Sequence, residues 1–268
     1  MNILILGTAK VEQKLIKLCL KSKFLDHIYT ASKESLKNIP NIEYNSFEEL
    51  VRKAKALQID LVLVSDKELV QNGIVEYLNN YRINVISVNK KWLHLESQRL
   101  VAKQLMNYYS INNPQPIKAP IAFPLVVKSV KRKFTKIVYN MMELVEIKEN
   151  YSNDSIFLEE YMKGESISLL SLWDGKSLLS FPVENSLTEV QVDRLDLYKT
   201  KLNIMFSDEC PDFIGFFISK LIWAKNDWHV LDYIMRVDLE VDLNNVIQKD
   251  FLYILNLAIF QKLNEISY

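Results

Sequence analysis

Glycine is scarce in this chain. Five glycines occur in 268 residues, at Gly7, Gly73, Gly164, Gly175 and Gly215, where an average usage near 7% would place roughly nineteen. Few backbone positions can therefore adopt positive φ cheaply or let an anion approach the main-chain N–H groups. There is no Walker loop, no dinucleotide fingerprint and no nucleophile elbow. Cysteine and histidine are equally sparse. Cys19 and Cys210 make no disulfide framework, and His27, His94 and His229 are too scattered for a zinc site. Both thiols are expected to be reduced in a cytoplasmic protein. Neither sign of charge is in excess, with 33 Lys plus Arg against 33 Asp plus Glu. That balance gives no global pull toward nucleic acid or an acidic membrane. Long apolar runs are missing too. Residues 213–223 and 251–260 fall short of the roughly 20 needed to span a bilayer. Residues 1–7 have no basic n-region and no cleavage site. No membrane or nucleic-acid partner is expected.

What remains is ordinary globular material, 49% hydrophobic and 25% charged, long enough for one large or two modest domains. Residues 2–6 form a short apolar run that reads as a buried strand. Apolar residues then recur at helical spacing through Val11, Leu15 and Leu18. A second strand is expected over 26–30. Ser46 with Glu49 three residues on reads as a capping box opening a helix to about Gln58. Residues 60–64 form a strand, 68–80 a helix and 84–88 another strand. This β-α-β-α-β alternation implies a parallel, doubly wound, Rossmann-like sheet. A helix over 98–109 follows, then a proline-rich stretch, 111–124, that marks a boundary. The expected domains are 1–112 and 113–268.

The second half reads as α+β. Strands are expected at 125–128, 156–161, 166–173 and 177–183, the last two flanking the Asp174-Gly175 turn. Residues 213–222 read equally as helix or strand. A strand over 228–235 and one long amphipathic helix over 243–263 close the chain.

Short matches in a shared order run through this sequence. Ile-Asp-Leu-Val-Leu-Val at 59–64 is followed by Asn72-Gly73-Ile74-Val75. Leu95-Glu96-Ser97-Gln98-Arg99 comes next, then a strand ending at Lys128. Phe-Leu-Glu-Glu-Tyr-Met-Lys-Gly-Glu-Ser occupies 157–166, and Val-Leu-Asp-Tyr-Ile-Met-Arg-Val-Asp-Leu-Glu occupies 230–240. Together they resemble the ATP-grasp family, and within it phosphoribosylamine–glycine ligase. The resemblance implies an N-terminal pre-ATP-grasp domain followed by an ATP-grasp domain, without room for that family's C-terminal domain. It implies ATP and Mg²⁺ as cofactors, with nucleotide contacts from Arg99, Lys128, Lys136, Glu159, Glu160, Tyr161 and Glu165. It implies a metal ligand at Asp232 and a catalytic role for Arg236.

The departures are specific. Ile234 stands where the family has an asparagine amide, and isoleucine coordinates nothing. Between Lys128 and Lys136 lies Ser-Val-Lys-Arg-Lys-Phe-Thr, without the glycines of a phosphate-covering loop. This basic run reads equally as an anion site or a solvated face, and Asp232 with Arg236 equally as a structural ion pair. Thr8-Ala9-Lys10-Val11-Glu12 replaces the turn and Arg-Glu-His-Ala that cradle the family's substrate phosphate. Three readings follow: a degenerate ligase-like protein that binds a nucleotide or a protein partner, including a second copy; a working carboxylate–amine ligase; and a structural or interaction protein.

Overall fold

The computed structural model describes residues 1–7, 9–31, 38–118, 122–129, 134–151, 155–238 and 241–266. The first layer is a parallel sheet ordered β2-β1-β3-β4. Its strands are β1 (Asn2–Leu6), β2 (His27–Thr30), β3 (Leu61–Val64) and β4 (Val85–Ile86). Both faces are buried, as crossover connections require. Ile3, Ile5, Leu61 and Leu63 pack on one side with Val11 and Leu15 of α1 (Ala9–Cys19). Leu4, Leu6, Val62 and Val64 pack on the other with Leu50, Val51 and Ala54 of α2 (Phe47–Ala56). The N-cap of α2 is Ser46, which accepts the Glu49 amide, while the Glu49 carboxylate reaches Asn45 N rather than Ser46 N. The helix expected over 68–80 is two, α3 (Lys67–Gln71) and α4 (Ile74–Asn80), because Gly73 at φ +84° separates them. Next come α5 (His94–Ser97) and α6 (Arg99–Tyr108).

The rest of the chain forms two antiparallel sheets. The smaller, β5-β8-β6-β7, comprises β5 (Pro116–Ile117), β6 (Leu125–Ser129), β7 (Thr135–Val138) and β8 (Ile156–Glu160). Helix α7 (Met141–Asn150) covers it over a core of Leu125, Val127, Val138, Leu144, Ile147 and Leu158. β7 and α7 carry no clear periodicity and were not anticipated. The larger sheet, β10-β9-β11-β12, comprises β9 (Glu165–Trp173), β10 (Leu178–Ser180), β11 (Gly215–Ala224) and β12 (Asp227–Ile234), with α8 (Glu189–Glu209) between β10 and β11. Thr188 and Gln191 cap α8 reciprocally. Residues 213–222, ambiguous by periodicity, are mostly strand because both faces of β11 are buried.

One face of the larger sheet is sealed by α8, through Leu169, Phe217, Leu221 and Val230 against Leu195, Tyr198, Leu202 and Phe206. Its opposite face is covered at one end by α9 (Leu243–Val246) and α10 (Phe251–Ile259). These replace the single helix expected over 243–263; Asp250 caps a fresh start by accepting Tyr253 N. The other end of that face carries Ser166, Ser168, Lys220 and Leu231 into an open pocket. No helix among the described residues is long and apolar enough to cross a membrane.

Candidate nucleotide site

The two antiparallel sheets meet at residues 161–164, where β8 passes into β9. Gly164 makes the crossing possible. A Cβ there would lie 1.8 Å from the Trp223 carbonyl oxygen, a backbone atom that cannot yield. At the end of β8, Glu160 exchanges contacts with Gln115: its N–H donates to Gln115 O, and its Oε1 accepts Gln115 N, each at 3.3 Å. Lys225 stands 2.6 Å from the second oxygen. Burial works to raise the Glu160 carboxyl, but Lys225 and the Gln115 amide prevail and hold it below the ordinary range. Tyr161 is half-buried. Met162 packs with Ile222, Ala224 and Leu231 as a small apolar patch. Glu165 is exposed at the start of β9, opposite Trp223.

Behind this junction lies a buried charge triad. Glu159 is 1% exposed and receives Lys128 at 2.8 Å on Oε2 and Lys103 at 2.8 Å on Oε1. Lys103 also donates to Pro114 O (2.5 Å) and Asn113 Oδ1 (3.3 Å). Burial depresses the Lys103 pKa, against the pull of Glu159. Lys128 donates to Leu231 O at 2.9 Å. That carbonyl is available because β12 bulges here: Lys220 pairs with Asp232, Leu221 pairs with Val230, and Leu231 is the extra residue. The bulge has a second effect. Val230 and Tyr233 both face α8 although three residues apart, so Leu231 and Asp232 both turn to the pocket side.

Asp232 is met there by Arg99 from α6, whose Nη2 and Nε lie 3.0 and 3.3 Å from Oδ2. The same guanidinium donates to Ser129 O, Phe134 O and Thr135 Oγ1. It thus fastens both ends of the β6–β7 connection, a use that suits the rigid fork of arginine. Residues 130–133, the middle of the basic run, lie outside the described residues, as does Glu240. Phe134 packs on Tyr151 with ring centroids 4.2 Å apart. Lys136 is exposed on β7, its ammonium 5.6 Å from the Tyr151 ring.

Arg236 sits elsewhere, against Glu96 of α5 and 3.1 Å from Asp238. Asp232 and Arg236 are therefore not paired with one another. Glu96 is 2% exposed and also receives Lys67 Nζ at 3.0 Å and Met235 N at 2.9 Å. Its burial alone would raise the carboxyl, but Arg236 and Lys67 outweigh that and lower it. Glu96 and Lys103 were not anticipated as site residues. For Lys103 a signal exists, since it follows Arg99 by four residues on a helix and shares its face.

The divalent cation expected from the resemblance finds few ligands. Asp232 gives one oxygen to Arg99 and the other to Tyr233 N. Ile234, the next cleft-side position on β12, is apolar and buried. Among the described residues no three His, Cys, Asp or Glu side chains gather in a metal-binding group. Among the described residues the donor set does not fit magnesium, which demands near-octahedral oxygen ligation.

The pocket beside Lys220 has a volume of about 360 Å³, within the range of small-molecule sites. A second crevice lies where a parallel sheet ordinarily takes its ligand, beyond the carboxyl ends of β3 and β4. It is nearly filled. Ser65, Ser87, Phe216, Arg236 and Val237 leave about 10 Å³, room for one water. Gly7 N donates to the fully buried Glu12 Oε1 at 3.1 Å, and a Cβ on Gly7 would meet Ser65 Oγ at 2.1 Å.

Known proteins share this architecture. The structure of phosphoribosylamine–glycine ligase from Thermotoga maritima superposes with a TM-score of 0.71 at 16% identity, covering 91% of this chain and 72% of that one. D-alanine–D-alanine ligase from Bacillus anthracis, solved with ATP, gives 0.64 at 18% identity over all of both chains. The fold is that of the ATP-grasp proteins: a Rossmann-like parallel sheet joined to two antiparallel sheets around a cleft. In sequence, the phosphoribosylglycinamide synthetase N-domain family matches residues 1–96. Phosphoribosylamine–glycine ligase of Fusobacterium nucleatum is 24% identical over 320 aligned positions, covering all of this chain and 75% of the relative. The Clostridium acetobutylicum enzyme is 22% identical, covering 99% and 76%. In sequence, the chain is similar to the phosphoribosylamine–glycine ligases.

Proposed function

We propose that this chain binds an adenine nucleotide in the cleft between its antiparallel sheets and has lost complete carboxylate–amine ligation. The observation that carries this reading is the commitment of Asp232 to Arg99, with buried Ile234 as the next cleft-side residue on β12. In relatives that use it, magnesium would supply charge neutralisation for the transferred phosphoryl group; here the described β12 residues at that place, Asp232 and Ile234, are engaged or apolar. The crevice of about 10 Å³ beyond β3 and β4 further supports the loss, since a sugar phosphate does not fit such a space.

The binding half of the reading rests on the junction. Gly164 is required there, Met162 and Leu231 offer an apolar surface for a planar ring, and Glu165 stands exposed where ribose hydroxyls would donate. The output of such a protein is binding, to nucleotide or to a protein partner that senses it.

The test is thermal melting with ATP, with and without Mg²⁺, followed by an assay for ADP release with glycine and phosphoribosylamine. A ligand at a hundred times its dissociation constant adds about 2.7 kcal/mol. Stabilisation without ADP release is expected. ADP release dependent on both substrates would restore the working ligase, and no stabilisation at millimolar nucleotide would remove the nucleotide.

A further inference from the structure

Helix α8 is apolar on two sides. One side carries Leu195, Tyr198, Leu202, Met205 and Phe206 into the core beneath it. The other side is open. Val190, Leu197 and Ile204 recur at every seventh residue and are 58%, 43% and 49% exposed. A seven-residue repeat drifts only about 20° per step on a straight helix, so the three side chains form one stripe. It runs for roughly 21 Å at about 1.5 Å per residue. Single apolar residues on a surface are ordinary; a heptad line of them is the seam of a helix pair. The charges beside the stripe are sorted. Arg194 and Lys201 follow Val190 and Leu197 by four residues and border it on one side, and Asp193 and Thr200 follow by three and border it on the other. Lys201 donates to Ser110 O at 2.7 Å. Among the described residues neither Asp193 nor Arg194 has an ion-pair partner. This sorting answers to a second α8. Laid antiparallel, two copies set like borders together and bring Arg194 beside the partner's Lys201. Laid parallel, they set unlike borders together, with Arg194 level with the partner's Asp193.

We propose that a second copy of this chain docks on α8, giving a parallel helix pair about a two-fold axis that runs along the helices. Val190, Leu197 and Ile204 each meet their own counterpart across the axis, as an isologous contact requires. The Arg194–Asp193 pair forms twice by symmetry and sets the direction, the role that bordering charges play in paired helices. One pair of helices buries less than the roughly 800 Å² per partner of a standard interface. The dimer therefore dissociates on dilution instead of being permanent. The inference is independent of the nucleotide reading, since α8 covers the face of the larger sheet opposite the open pocket.

The test is sedimentation equilibrium of the full chain from micromolar to sub-millimolar concentration, where a reversible monomer–dimer equilibrium is expected. Leu197→Glu, at the exposed centre of the stripe, should keep the chain monomeric throughout with an unchanged circular dichroism spectrum. Arg194→Asp sets acid against the partner's Asp193 and should weaken association about tenfold, as should Asp193→Arg; the two together exchange the pair and should return to within about threefold of the parent. Direction is read by crosslinking. Both native thiols are buried, so under mild oxidation Val190→Cys should form a disulfide with its own counterpart. Linkage that instead requires a mixture of Val190→Cys and Ile204→Cys chains would mean an antiparallel pair and overturn the proposal. A parent that stays monomeric at every concentration overturns it without any variant, so a variant that fails to fold does not rescue it. A dimer indifferent to Leu197→Glu, or a double charge exchange that restores nothing, overturns it as well.

Discussion

Glu159→Gln removes the single negative charge between Lys103 and Lys128, which approach it at 2.8 Å each and are 5% and 6% exposed. The glutamine keeps the volume and one acceptor but leaves two ammonium groups facing each other in the interior. Breaking a buried ion pair by removing one partner costs about 3–5 kcal/mol. For a chain of this size each kcal/mol moves the melting temperature by about 2–4 °C, so a drop of about 6–20 °C is expected. The assay is denaturant unfolding followed by tryptophan fluorescence, since Trp173 and Trp228 are buried in the larger sheet, with calorimetry alongside. A triple variant carrying methionine at 103, 128 and 159 removes the charges together. It should regain part of the loss, because an apolar replacement of similar volume avoids the desolvation penalty. It should not regain all of it, since Pro114 O, Asn113 Oδ1 and Leu231 O each lose a lysine donor. Each such orphaned acceptor costs about 1–3 kcal/mol if water does not reach it. A Glu159→Gln protein within 1 kcal/mol of its parent would refute the reasoning. It would mean that water screens the triad and that the lysines are not locked in place.

Three further outcomes are expected. Glu96→Gln should loosen the junction held by Arg236, Lys67 and Met235 N; because the folded carboxyl titrates below its ordinary value of 4.5, its contribution is full above that pH and is lost as pH falls through the lowered folded value. Urea melts of parent and variant should therefore differ at neutral pH and converge in acid, and a pH-independent gap would contradict the assignment. Gly7→Ala drives a methyl onto Ser65 Oγ and should cost about 1–3 kcal/mol as an overpacking change. Adding Ser65→Ala should recover most of that, whereas additive losses in the double variant would locate the strain elsewhere. Burial pushes the Cys19 thiol up to about 12, with Asp250 adding to it, and raises Cys210 as well; alkylation at mildly alkaline pH should label neither thiol in the native protein and both in denaturant, and rapid native labelling of either would show a site more open than described.

Much of the architecture is legible in the sequence. Residues 3–6 and 61–64 are unbroken apolar runs because both faces of a parallel sheet are covered, and Asp174-Gly175 announced the β9–β10 turn. Periodicity failed where one segment answers to two environments. Residues 213–222 are apolar except at Gly215, Ser219 and Lys220 because α8 covers one face of β11 and α10 part of the other, and a pattern with so little alternation does not separate strand from helix. The 243–263 stretch looked like one helix because apolar spacing continues across Asp250, whose side chain restarts the backbone instead.

For the site, the sequence by itself determined the inventory: a scarcity of glycine, a lysine ending β6, an isoleucine where an amide was expected, and one carboxylate at position 232. Which charge answers which was decided only by tertiary structure. Asp232 and Arg236 are four residues apart, yet they separate to Arg99 and Glu96, more than 130 positions away in each case. The reason is a single extra residue in β12. The bulge at Leu231 turns Asp232 toward α6, frees a carbonyl for Lys128 and sets Lys220 across the ladder. A strand's faces alternate with period two, so one inserted residue reassigns every side chain beyond it, and that insertion is defined only against the strand it pairs with.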